Sequence, residues 1–279
     1  MKRFFSTLLL GAMLALYGCS TVQTTQSGAV GVERKQFMML SEKQVESMSA
    51  QSYLQTLQEA DAKKTLNTNP AQLLRVRAIS NRLIAQTGVF RPDARNWKWE
   101  VNVQENEQLN AYCMPGGKIM VFTGLMDKLH TTDDELAQVI GHEIAHALRE
   151  HGRERMSIAY AQQAGVLGLA VLASVFSNDS NTAQNTAVAA MAVSTVALTL
   201  PNSREQEREA DRVGLELAAR AGYDPNAAVT LWQKMMANGG GKPPEWLSTH
   251  PSDKSRIQDL QALVPRVMPL YRQAKAKNG

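Results

Sequence analysis

The chain has 279 residues, 44 % of them apolar and 20 % charged, which suits one ordinary globular domain with short appendages. Its formal charge of +4 falls to +2 once Lys2 and Arg3 are set aside. The basic residues form no stripe, so no nucleic-acid partner is expected, and Arg272, Lys275 and Lys277 read as a solvated tail.

Lys2 and Arg3 precede an apolar run of 13 residues, Phe4 to Leu16. That is short for a bilayer span and suits the core of a signal peptide. Leu16-Tyr17-Gly18-Cys19 follows, and this start resembles a bacterial lipoprotein signal. The resemblance implies that residues 1–18 are removed and that Cys19 is acylated. Ser20 stands where Asp would favour retention in the inner membrane, which suggests the periplasmic side of the outer membrane. Secretion into the periplasm without lipid is the alternative. Cys113 then has no partner, which excludes a disulfide framework. Residues 19–36, rich in Ser, Thr, Gln and Gly with no apolar period, are expected to form a flexible tether.

Ser41 with Gln44 fits a capping box for a helix to about Ala60. Asn69-Pro70 starts a second helix that ends near Gly88. Trp97, Trp99, Val101 and Val103 alternate with polar residues, as in a half-buried strand. Asn110 to Met114, Pro115-Gly116-Gly117 and Lys118 to Thr123 read as strand, turn and strand. Asn110, Ala111 and Tyr112 can take up an extended substrate backbone as one more strand, or belong to a plain structural hairpin.

Thr132 and Glu135 form a capping box, and Asp133 and Asp134 suit the positive end of a helix. The helix that follows carries His142-Glu143-Ile144-Ala145-His146. Histidines four apart share one helix face, so both imidazoles can reach one ion with Glu143 beside it. Zinc takes nitrogen and oxygen ligands in a tetrahedron, and a neighbouring carboxylate can accept the proton of a water activated there. The apolar neighbours Val139, Ile140, Ile144 and Ala145 argue against a solvated helix that carries two histidines by chance. The pattern implies a zinc hydrolase. His151, five residues beyond His146, is expected to point away from the metal and lie at the surface. Arg149 and Gly152 stand where the metzincin pattern needs Gly and His, so that class is excluded and the third ligand lies elsewhere.

Residues 164–176 and 186–200 are apolar runs joined by a polar turn. They read as a helical hairpin, 164–200, too short and too mildly hydrophobic to favour a bilayer span. Ser203 with Gln206 caps a helix carrying Glu205, Glu207, Glu209 and Asp211. These acids can form a solvated face. Glu207 and Asp211, however, are four apart beside Ala210, Val213, Leu215 and Leu217, and could supply a third ligand and a carboxylate behind a histidine. Asp211 could instead give a proton to the substrate. A Gly- and Pro-rich loop, Asn238 to Pro244, leads to His250. Ile257, Leu260 and Leu263 mark a last helix that Pro265 is expected to end.

Several of these stretches match one family in order. They are Asn110 to Gly117, Phe122 to Leu125, the His142 to His146 motif, Ser203-Arg204 with Glu207, Ala210 and Asp211, and Thr249-His250-Pro251-Ser252 with Arg256. Together they resemble the gluzincin peptidases that include the CAAX prenyl protease and HtpX, with the nearest likeness to periplasmic BepA- and LoiP-like members and mitochondrial Oma-type ones. The resemblance implies an α+β fold: a mainly α-helical zincin-type metallopeptidase domain over 37–279, with a small β-sheet or hairpin beside the His142 helix. It implies His142, His146 and Glu207 as ligands of one Zn2+, Glu143 as catalytic base and Asp211 as a further active-site acid. His250 and Arg204 are candidates for stabilising the oxyanion. His250 can also bind the open zinc position and hold the enzyme inactive, or simply pack the rim. The expected substrates are unfolded or misassembled envelope proteins. The competing expectations are an assembly factor or chaperone-like protein with a zinc-stabilised fold, and a membrane-embedded protease like HtpX.

Overall fold

The computed structural model describes residues 20–176, 203–237, 250 and 254–278. The signal segment, Cys19, the second arm of the apolar hairpin, the loop 238–244 and Thr249, Pro251 and Ser252 lie outside the described residues. The elements begin with β1 (Ser20–Val22), β2 (Gln36–Met38), α1 (Glu42–Ala62) and α2 (Pro70–Ile84). Then come β3 (Glu100–Gln104), β4 (Ala111–Met114), β5 (Lys118–Phe122) and the short α3 (Thr123–Asp127). The remaining helices are α4 (Asp133–Leu148), α5 (His151–Phe176), α6 (Arg204–Arg220), α7 (Ala227–Ala237) and α8 (Lys254–Asn278).

These elements form two compact units. Among the described residues the smaller comprises 20–23, 34–42 and 153–176, which group apart from the rest of the single domain expected over 37–279. Within it β1 pairs antiparallel with β2. Glu154 on α5 accepts from the Arg34 guanidinium at 2.8 Å and from the Gln36 amide at 3.1 Å. Residues 20–36, expected as a flexible tether, thus contain a paired strand. In the larger unit Val30 and Val32 join the main core, and Glu216 accepts from the Val30 amide at 3.0 Å. Each buried valine contributes about 1.5–3 kcal/mol to holding this polar stretch on the core.

The larger unit holds a three-stranded sheet in the order β3-β5-β4, with β3 parallel and β4 antiparallel to β5. Gly117 closes the β4–β5 turn at φ +83°, where a side chain would also run into the Trp99 ring. Alternation gives the sheet two faces. Ala111, Cys113, Ile119 and Val121 enter the main core, while Tyr112, Met114, Met120 and Phe122 pack with Tyr53 of α1. β3 starts three residues later than Trp97, because the Trp99 indole donates to the Ala94 carbonyl and ends a 3-10 turn there. β4 ends the strand order, so among the described residues no strand lies on its outer edge.

The helix starts follow their caps. Asn69 accepts from the amides of Ala71 and Gln72, and reciprocal capping boxes open α4 at Thr132 and α6 at Ser203. α8 departs from expectation by running through Pro265 and Pro269. A proline removes one helical hydrogen bond and strains the turn before it. Leu260, Leu263 and Val267 are buried on both sides of Pro265, and that burial outweighs the lost bond. Among the described residues no helix is long and apolar enough to cross a membrane.

Every residue of α4 from Glu135 to Leu148 is buried, and α6 lies across it in backbone contact. A Cβ on Gly214 would sit 2.7 Å from the His142 nitrogen, and one on Gly141 would sit 3.0 Å from the Gly214 carbonyl oxygen. Only glycine at both positions lets the helices come so near. Gly214→Ala is expected to destabilise the fold by about 1–3 kcal/mol, read as an earlier urea midpoint at unchanged slope. A midpoint equal to that of the parent would show that the helices part without cost.

Candidate metal centre

α4 presents His142 and His146 one turn apart, and α6 presents Glu207 and Asp211 one turn apart across the glycine contact. The two Nε2 atoms of His142 and His146 are 3.0 Å apart, and Glu207 oxygens lie 3.3 Å from each of them. His250 Nδ1 completes the cluster, 3.2 Å from His142 Nε2 and 3.0 Å from Glu207 Oε1. All four side chains are buried.

Zinc binds nitrogen and oxygen at about 2.0–2.2 Å, so the edges of its tetrahedron are about 3.3–3.6 Å long. The five contacts above, 3.0 to 3.3 Å, are close to or a little below those edges, and one ligand atom from each of the four residues lies within 4.8 Å of all the others. The other ring nitrogens face partners: His142 Nδ1 lies 3.0 Å from Asp211 Oδ1, and His146 Nδ1 lies 2.7 Å from His151 Nδ1. In neutral rings with the proton on Nδ1, both Nε2 lone pairs converge on one point. The residues therefore fit a zinc ion.

The electrostatics agree. Burial depresses the His142 imidazolium, but Asp211 and Glu207 beside it override that and raise its pKa to about 9. Burial favours the neutral form of Glu207, yet His146, His142 and His250 hold its carboxyl far below the usual carboxylate range. His146 goes the other way: burial keeps it neutral, with its pKa well below the ordinary value.

Arg256 ties the acids together. Its Nε and Nη2 donate to the two oxygens of Asp211 at 2.6 and 2.7 Å, Nη1 lies 3.0 Å from Glu207 Oε2, and the guanidinium stacks 4.4 Å from the Trp232 ring centroid. Burial would raise the Asp211 pKa, but Arg256 and His142 lower it below the usual range. Asp211 is thus an ionised carboxylate aimed at His142. Glu143 is buried between the two histidines in sequence, and its Oε1 lies 3.6 Å from His250 Nε2. Arg204 is the exposed first residue of α6, and Asn110, Ala111 and Tyr112 lie at the start of β4.

His151 corrects the sequence reading. It is fully buried rather than at the surface, with Nδ1 on His146 and Nε2 2.9 Å from Glu209 Oε2. Helical extrapolation fails because α4 stops at Leu148, and Glu150 takes φ +53°, which turns the chain back before α5 starts. Glu209 and Arg149, which hold His151, and the bidentate role of Arg256 also escaped the sequence reading. Arg149 at a buried helix end was the available signal, since a charge there needs a partner.

Sequence comparison extends the picture. The profile of peptidase family M48 matches residues 70–264. The mitochondrial metalloendopeptidase OMA1 of Bos taurus is 31 % identical over 250 residues, covering 88 % of this chain and 46 % of the relative. The OMA1 of Arabidopsis thaliana is 40 % identical over 180 residues, covering 64 % and 34 %. The beta-barrel assembly-enhancing protease of Escherichia coli K12 is 29 % identical over 175 residues, covering 61 % and 35 %. The chain therefore spans about half or less of these relatives' lengths. A family match over well more than half of the chain, on a mainly helical fold with a small sheet and a zinc-type cluster, is decisive: the chain belongs to peptidase family M48, a family of zinc metallopeptidases.

Proposed function

We propose that this chain is a zinc-dependent endopeptidase of the bacterial cell envelope that removes unfolded or misassembled proteins. The observation that carries the reading is the convergence of His142, His146 and Glu207 on one point, with Glu143 in the same helix turn. Zinc held there supplies a Lewis acid that polarises a carbonyl and lowers the pKa of water. Glu143 accepts the water's proton and returns it to the leaving amine. Asp211 orients His142 through its Nδ1, a role its pairing with Arg256 favours over proton donation to substrate. β4 offers the extended substrate an edge. The Phe122 amide bonds to the Asn110 carbonyl, so Asn110, Tyr112 and Met114 face β5, and the backbone groups of Ala111 and Cys113 point outward. His250 fills the fourth corner and holds the centre closed until it withdraws; Arg204 remains a candidate for the oxyanion or for gating.

The second reading is a binding role in outer-membrane assembly, which the likeness to a beta-barrel assembly-enhancing protease favours. Glu143→Gln separates the two. It is expected to keep about one zinc per chain while casein cleavage falls about 10²–10⁴-fold. Full cleavage by the variant would overturn the mechanism, and a normal cell phenotype without cleavage would favour the binding role. His250→Ala is expected to retain zinc and raise casein cleavage severalfold. Neither a changed zinc site nor a changed cleavage rate would leave His250 as rim packing. The lipid anchor is tested by fractionation: Cys19→Ser is expected to move from the membrane to the soluble periplasmic fraction, and a parent chain already soluble would remove the anchor.

A further inference from the structure

Behind the zinc-facing side of His146 runs a buried chain of polar contacts that the peptidase chemistry does not itself need. His146 Nδ1 meets His151 Nδ1 at 2.7 Å, and His151 Nε2 meets Glu209 Oε2 at 2.9 Å. The same Glu209 oxygen accepts from Arg149 Nε at 3.1 Å and Nη2 at 2.9 Å. Arg149 Nη1 in turn donates to the hydroxyls of Thr24 and Thr25 at 3.3 and 3.2 Å. His151 and Arg149 are 0 % exposed and Glu209 is 6 % exposed, so water does not stand in for these partners.

With both imidazoles neutral, one order of donors satisfies every contact along this chain. Glu209, an ionised carboxylate against a guanidinium, can only accept, so His151 carries its proton on Nε2. His151 Nδ1 is then an acceptor, and His146 must carry its proton on Nδ1. That leaves the Nε2 lone pair of His146 directed at the centre. The opposite tautomer of His146 would place two bare nitrogens 2.7 Å apart and a proton where the ion belongs.

We infer that His151, held by Glu209 and Arg149, is a positioning residue that fixes the tautomer and ring orientation of His146 for zinc. The inference rests on the zinc reading above. It also assigns a task to the N-terminal segment: Thr24 and Thr25 brace Arg149, and the Thr24 hydroxyl donates to the Arg149 carbonyl at the end of α4. A carboxylate normally touches a metal-binding histidine directly; here a second imidazole is interposed, which extends the reach of Glu209 by one ring.

The test uses the full chain and reads zinc affinity by competition with a chromophoric chelator, together with the visible spectrum of the Co2+-loaded protein. His151→Leu keeps the bulk and loses the acceptor. It is expected to weaken zinc about 10- to 100-fold and to alter the Co2+ bands, with the apo protein still folded by circular dichroism. His151→Gln offers one oxygen to His146 and one amide N–H to Glu209, and is expected to restore most of the affinity. Zinc binding by His151→Leu at the parent's affinity, or equal loss in both variants, would overturn the inference. Should His151→Leu not fold, nitrogen-15 spectra of the zinc-loaded parent decide: the Nε2–H tautomer of His151 is expected, and the Nδ1–H tautomer overturns it. A parent chain that binds no zinc would instead bring down the metallopeptidase reading beneath it.

Discussion

The centre depends on a backbone contact between two helices. Gly141 and Gly214 let α4 and α6 approach until the peptide groups touch, and the helices run antiparallel there, with His142 opposite Asp211 and His146 opposite Glu207. Side-chain reach then sets the chemistry. A glutamate spans only a few ångströms from its own backbone, and a histidine ring little more, so the ligand atoms meet at 3.0 to 3.3 Å only because nothing larger than hydrogen separates the helices. The capping boxes at Thr132 and Ser203 fix where each helix starts, and hence which residue of each turn faces the other.

Close helices also bury charge, and α6 carries several acids into the core. Ionised groups out of water are costly unless every one is paired. Here the pairing follows two branches. Glu207 and Asp211 share Arg256, and Glu209 takes Arg149 and His151. Each branch ends on a different histidine, Asp211 at His142 and His151 at His146. The ion pairs that make burial tolerable are thus the same contacts that hold the two imidazoles in one orientation. Truncating any one partner would strand a buried charge as well as loosen a ring.

Much of this was legible in the sequence because it is local. The caps at Asn69, Thr132 and Ser203, the β4–β5 hairpin, and the pairs His142/His146 and Glu207/Asp211 all follow from spacings of two to four residues. What stayed hidden depends on where the chain bends or on contacts between distant segments. His151 looked exposed only as long as α4 was imagined to continue, and the positive φ of Glu150 was not visible in a charged stretch. Residues 24–33 looked like a tether by composition, since two buried valines and two bracing threonines form no period. Pro265 looked like a helix end because the proline rule is local, whereas the burial of Leu263 and Val267 that overrides it is tertiary.

The fourth member of the cluster differs in kind from the other three. His142, His146 and Glu207 sit on two helices locked by backbone contact, whereas His250 is the one member that lies outside any helix among the described residues. A centre with three rigid protein ligands is complete in the sense that catalytic zinc sites require, because the remaining corner is the working one. In the proposed reading His250 takes that corner: its Nδ1 lies 3.2 Å from His142 Nε2, while its Nε2 stands 3.6 Å from Glu143, the proposed base. On that reading one imidazole would cover both groups that the proposed hydrolysis needs. Withdrawing it would expose the coordination position and the carboxylate in a single movement, without disturbing the Gly141–Gly214 contact on which the other three ligands rest.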